Sequence, residues 1–172
     1  MQGRIDKYVW IDRGSSFILS GLSAAMLAAQ LEECGNITQR RIRVWEEYHT
    51  CLEPLEQRGR LRRPVVPASC RHNAHIYYVL LPRKESFEQV QRSLEMHGIQ
   101  AYGHYAALHT TPGGQRFGRP HPRGCEVSAS VAQRLLRLPL WPTMTTEQVH
   151  LVVETLAVAL GDLPGTVYAT PT

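Results

Sequence analysis

Apolar residues recur at helical spacing in four stretches of the chain, and between them run together or alternate in shorter segments. From Ser20 onward, Leu22, Ala25, Met26 and Ala29 fall three or four residues apart, with Gln30 and Leu31 continuing the pattern toward Gly35. The small residues of this stripe predict close packing, and Met26 is read as core. A second run from Asn36 carries Ile37, Arg41, Val44, Trp45, Tyr48 and Leu52 and stops between Pro54 and Gly59. The two apolar faces continue with little change of phase, so Gly35 reads as a boundary or as a kink inside one long helix. Phe87, Val90 and Leu94 mark a third helix over 86–97, ended by Gly98. In the fourth, Val149, Val152, Val153, Leu156 and Leu160 form one face, with Thr145 or Thr146 as cap and Gln148 completing a capping box with Thr145.

Strand signals fill the space between the helices. AHIYYVLL, 74–81, is rich in β-branched and aromatic residues and bounded by Asn73 and Pro82, which predicts a buried central strand. A second strand is expected over 99–105. Residues 110–124 hold several glycines and prolines and read as a long loop, functional or mobile. Residues 125–136 are expected as a helix closing on LRLPLWP, where Pro139 and Pro142 keep a short strand or connector extended. The fold class is therefore α+β, a long N-terminal helix followed by a small sheet packed with helices. It divides into an extended entry over 1–19, a folded unit over 20–160 and a frayed tail over 161–172.

Composition narrows the class. The chain has 172 residues, 43% hydrophobic and 20% charged, which suits a globular unit large enough for a core. No run of about 18 apolar residues is present, and Asp6, Lys7 and Asp12 stand where a signal core would be. The expectation is a cytoplasmic protein without a membrane partner. Cys34, Cys51, Cys70 and Cys125 are widely spaced and form no CxxC pair, so reduced thiols are expected and no metal site is read from the sequence. Arg58, Arg60, Arg62 and Arg63 cluster in RGRLRRP, but Glu53 and Glu56 sit beside them and no aromatic residue interleaves them. That pattern reads as a solvated turn, and no nucleic-acid partner is expected.

Candidate chemistry lies in two places. Gly14 gives a turn its backbone freedom, Ser15 and Ser16 offer hydroxyls and N–H groups, and the helix beginning near Ser20 directs its positive end toward them. The same residues suit an anion or an ordinary capped helix entry. Among eight histidines, His104 and His109 stand in GHYAALH at a spacing of five, which fits no zinc pair and leaves structural and functional roles open.

The wording of DKYVW at 6–10, DRGSSF at 12–17 and LSGLSAAMLAAQLE at 19–32 resembles the DegT/DnrJ/EryC1/StrS family of sugar-nucleotide aminotransferases, pyridoxal-phosphate enzymes of fold type I. The resemblance runs from Gly3 to about Leu160 and matches the C-terminal part of such an enzyme, including LRLPLWPTMTTEQ as its closing segment. Within the family it is most similar to dTDP-4-amino-4,6-dideoxygalactose transaminases. The fold then implied is the small C-terminal domain, with 1–19 crossing to the large domain or dimer partner.

The resemblance also implies roles. Ser16 falls where most relatives place an asparagine that reaches across the dimer to the cofactor phosphate, Ser15 beside it is a second candidate for that phosphate, and Ile18 stands where many have arginine. GHYAALH is similar to the family's HYxxLH loop at the active-site cleft, which makes His104, Tyr105 and His109 candidate substrate-side residues. Only Lys7 and Lys84 are lysines, and neither lies where the family keeps its Schiff-base lysine, which is expected upstream of Met1. The whole enzyme would pass an amino group, typically from glutamate, to a dTDP-4-dehydro-6-deoxy sugar for surface polysaccharide. It would work as a homo-oligomer, with this chain inactive alone. Away from a large domain, the faces of Leu22, Met26 and Trp45 are expected to be uncovered. The alternative reading is a non-catalytic binding or assembly partner of an intact aminotransferase.

Overall fold

The computed structural model describes residues 19–83 and 85–162. The expectations for Ser15, Ser16, Ile18, Lys7 and Lys84 and for most of the tail lie outside the described residues. The chain opens with α1 (Gly21–Glu32), whose N-cap Ser20 accepts a hydrogen bond from the Ser23 N–H at 3.2 Å. It continues into α2 (Cys34–Cys51) and the short α3 (Glu53–Gln57), which begins with Pro54 in its first turn. β1 (Tyr77–Leu80) and α4 (Glu85–Met96) follow, then β2 (Tyr102–Gly103). A 3₁₀ turn at Leu108–Thr110 leads to α5 (Pro112–Phe117), α6 (Glu126–Ala132), β3 (Leu135–Leu138) and α7 (Thr146–Ala159).

Several expectations are corrected. The first two helices are separate, and the break falls at Glu33, not Gly35, which lies in the first turn of α2. Residues 110–124 contain α5, because Thr111 caps it and Pro112 at its first position has its φ already set for a helix. The helix expected to Leu136 ends at Ala132, and Leu135 already belongs to β3. β2 is only two residues long.

The sheet order is β1-β3-β2, all pairs antiparallel, so the central strand is β3 and not β1. The apolar content of AHIYYVLL reports burial of its faces and is silent on how many neighbours it pairs with. Among the described residues, β1 meets on its outer side only Arg62, through an isolated bridge in which each N–H donates to the other carbonyl between Arg62 and Leu80. LRLP is short and carries Arg137, yet its alternation places Leu136 and Leu138 inward and pairs it on both sides.

The core forms where one sheet face meets α2, α4 and α7. Tyr48, Leu52, Tyr77, Val79, Leu94, Leu136 and Leu156 are fully buried there, each stabilising the fold by very roughly 1.5–3 kcal/mol of apolar burial. Trp45, expected to be uncovered, belongs to this core, with its ring 5.2 Å from that of Tyr77 and stacked at 4.7 Å on His49. The Tyr48 hydroxyl donates to the Pro139 carbonyl at 3.0 Å, tying α2 to the chain leaving β3. Burial and the neighbouring Tyr77 push the Tyr48 phenol far above its ordinary range, so it stays a donor. α7 carries the expected capping box between Thr145 and Gln148.

α1 goes the other way. None of its residues is buried; Leu22 and Met26 are 76% and 60% exposed, which corrects the reading of Met26 as core. In the arginine-rich turn, Arg58 and Arg60 pair with Asp162, while Arg63 pairs with Glu56 and Glu53 and donates to the His49 carbonyl. Among the described residues no helix is long and apolar enough to cross a membrane.

Candidate functional site

The segment after β2 is bent back by local chemistry written in HTTPGG. The Thr111 hydroxyl donates to the Leu108 carbonyl at 2.7 Å and accepts from the Gly114 N–H at 3.1 Å, so one side chain joins the 3₁₀ turn to the start of α5. The approach is so close that a Cβ on Gly114 would lie 1.7 Å from the Leu108 oxygen. Only glycine fits there. This contact holds Ala107 to His109 against α5 and opens a cavity between that turn and α6.

The cavity measures about 590 Å³ and brings His104, Tyr105 and His109 together. Those three are the substrate-side residues expected from the sequence. It also recruits Arg119 and His121, which sequence reasoning left inside a long loop, and Cys125, expected at the start of the following helix; the cap signal Thr-Pro-Gly-Gly was the legible clue to the fold of the loop segment. The floor is apolar, from Val131, Ala132 and Leu135, and none of the lining residues is acidic.

The polar groups are oriented. The His104 and Tyr105 rings meet at 4.5 Å with a 60° tilt. Partial loss of hydration at the His104 ring, then the charges of Arg137 and His75, lower its pKa below the ordinary imidazole value. At neutral pH it is uncharged and can donate from one ring nitrogen and accept at the other. His121 Nδ1 accepts the Arg123 backbone N–H at 3.1 Å, which fixes the orientation of the ring. Histidine donors, a guanidinium and an apolar floor, with no carboxylate, make a wall suited to an anionic or polyhydroxylated ligand.

Pyridoxal phosphate is a different demand, and the described residues do not fit it. They include no lysine to form its imine, and no carboxylate lines the cavity to meet its ring nitrogen. Ser15 and Ser16, expected at its phosphate, lie outside the described residues.

A mixed unit of helices on a small antiparallel sheet is the kind of piece found within solved pyridoxal-phosphate aminotransferases. The chain belongs to the DegT/DnrJ/EryC1/StrS aminotransferase family, whose model matches residues 1–157. It is 28% identical over 155 residues to the erythromycin biosynthesis sensory transduction protein EryC1 of Saccharopolyspora erythraea, covering 90% of this chain and 40% of that protein. Its fold matches S. venezuelae DesV, solved in complex with a ketimine intermediate, at TM-score 0.72 and 22% identity, over 94% of this chain and 42% of DesV. It also matches NtdA from Bacillus subtilis with bound cofactor PMP, at TM-score 0.65 and 22% identity, over 81% of this chain and 32% of NtdA. The chain thus spans roughly a third to two fifths of the length of these relatives.

Proposed function

We propose that this chain is the C-terminal, small-domain part of a pyridoxal-phosphate-dependent transaminase that aminates a dTDP-4-dehydro-6-deoxy sugar, with glutamate as donor, for cell-surface polysaccharide. The branch of dTDP-4-amino-4,6-dideoxygalactose transaminases is the proposed relationship within the family. The observation that carries the reading is the gathering of His104, Tyr105 and His109 on one carboxylate-free cavity. Pyridoxal phosphate, once bound in the complete enzyme, supplies the electron sink for amino-group transfer. This chain's part is recognition. His104, uncharged, hydrogen-bonds a sugar hydroxyl; the Tyr105 ring covers an apolar sugar face; Arg119 faces the diphosphate charge. Ser15 and Ser16 are proposed to donate to the cofactor phosphate.

The exposed apolar stripe of α1 supports a further part of the reading. Leu22, Met26 and Leu31, at 76%, 60% and 62% exposure, form a surface that the large domain or a second subunit covers in the assembled homo-oligomer. By itself the chain is inactive, since neither Lys7 nor Lys84 falls where the resemblance places the reactive lysine. Two measurements test this. Calorimetric titration with a dTDP-sugar should show binding that His104→Ala and Tyr105→Ala both weaken, and binding indifferent to both overturns the recognition role. Borohydride reduction with pyridoxal phosphate should leave no specific adduct, and a stoichiometric pyridoxyl group on Lys7 or Lys84 in the mass spectrum refutes the inactivity.

A further inference from the structure

On the opposite side of the core, α2 and α7 present three unlike donor atoms to one another. Glu47 and Cys51 lie one turn apart on α2, and His150 lies on α7. His150 Nε2 is 3.1 Å from Glu47 Oε1, and Cys51 Sγ is 3.8 Å from the same oxygen. All three donor atoms lie within 4.8 Å of one another. We propose that Glu47, Cys51 and His150 form a three-ligand site for a divalent transition metal of the zinc class, with water in the fourth position.

Geometry favours this over a plain hydrogen-bonded trio. Bonds of roughly 2.0–2.3 Å from zinc to oxygen, nitrogen and sulfur set tetrahedral edges of about 3.3–3.7 Å between ligand atoms. The oxygen-to-nitrogen and oxygen-to-sulfur separations already lie near those edges. Only the sulfur-to-nitrogen edge needs closing, and the His150 side chain, 50% exposed, is free to turn toward it. The backbones that carry the ligands are fixed, because Tyr48 of α2, Leu52 at its C-cap, and Val149 and Val152 of α7 are packed in the core. A thiol, an imidazole and a carboxylate together are a borderline-soft set that suits zinc or cobalt and disfavours calcium or magnesium. On binding, the Cys51 S–H proton passes to solvent and the thiolate takes the metal; no redox change is involved. Sequence spacing hides the site, since its third ligand lies about a hundred residues from the first two, which is why the widely spaced cysteines suggested no metal.

Cobalt(II), which reports its ligands in absorption, is the probe, titrated into the reduced full chain. One equivalent should develop the thiolate-to-cobalt charge-transfer band, and Zn²⁺ should abolish it. The band should persist in a variant with Cys34, Cys70 and Cys125 all changed to Ser and vanish in Cys51→Ser. His150→Ala, at an exposed position that leaves the fold intact, should weaken cobalt binding by at least the roughly tenfold loss that follows removal of even an outer-shell partner. Zn²⁺ should also raise the melting temperature of the parent chain more than that of His150→Ala. Absence of the band, its survival in Cys51→Ser with native circular dichroism, or unchanged affinity in His150→Ala overturns the site. Because none of these readouts involves transamination, their outcome is separate from that of the proposed function.

Discussion

α1 and α7 have the same kind of sequence and opposite fates. Both carry apolar residues at helical spacing, both begin at a hydroxyl-bearing cap, and neither contains a proline. In α7, Val149, Val152 and Leu156 are buried where the helix packs on α4 and α2; in α1 nothing is buried. An apolar stripe says that a helix needs a partner, but not whether that partner lies in the same folded unit. The difference also separates two jobs. α7 holds the unit together, while α1 offers area for something else to cover, consistent with a chain that spans a minority of its relatives' length.

Large-to-small substitutions should break this comparison most sharply. Leu156→Ala, at a fully buried site, should cost about 2–5 kcal/mol in denaturant unfolding. Leu22→Ala should stay within about 0.5 kcal/mol, since its side chain is already in water. Equal losses would mean that α1 is packed in solution. The caps give a smaller version of the same contrast. Thr145→Ala removes the Thr145 half of the α7 capping box and should cost about 1 kcal/mol, whereas Ser20→Ala should leave the global unfolding midpoint unchanged and only loosen α1, read by amide exchange.

The smallest effect is the titration of His49, which sits under Trp45 on the packed side. Burial, followed by the Arg63 charge, lowers its pKa below the usual 6.5. The folded state therefore binds fewer protons than the unfolded state in the window just below 6.5. Stability rises with pH through that window and falls as the medium is acidified through it. His49→Gln should flatten this dependence in urea midpoints measured across the window, and a slope unchanged by the substitution would assign it to other groups.

Much of the candidate site was legible for a specific reason. GHYAALH is a contiguous segment, so His104, Tyr105 and His109 reach one cavity without any long-range contact having to be guessed. Arg119, His121 and Cys125 join them only because α5 folds the following residues back, and that depends on Gly114 lying against a backbone oxygen, a contact no spacing rule reveals. The proposed metal ligands were illegible for the same reason, since Glu47 and His150 meet only when α2 and α7 pack.

Local chemistry within a few residues was determined by the sequence alone. It includes the capping box at Thr145 and Gln148, the helix that spans Phe87 to Leu94, the extended apolar run at Tyr77 to Leu80 and the α+β class that they imply. Backbone hydrogen bonds and rotamer limits act over one or two turns, and a short stretch of residues carries that information. The tertiary structure alone decided that β3 stands in the middle of the sheet, that Trp45 is inside and Met26 outside, and that donors a hundred residues apart share a point in space. Those outcomes depend on which surfaces lose water together. Burial is non-directional and completed by the whole folded unit, so a local pattern marks a face as apolar without saying what covers it.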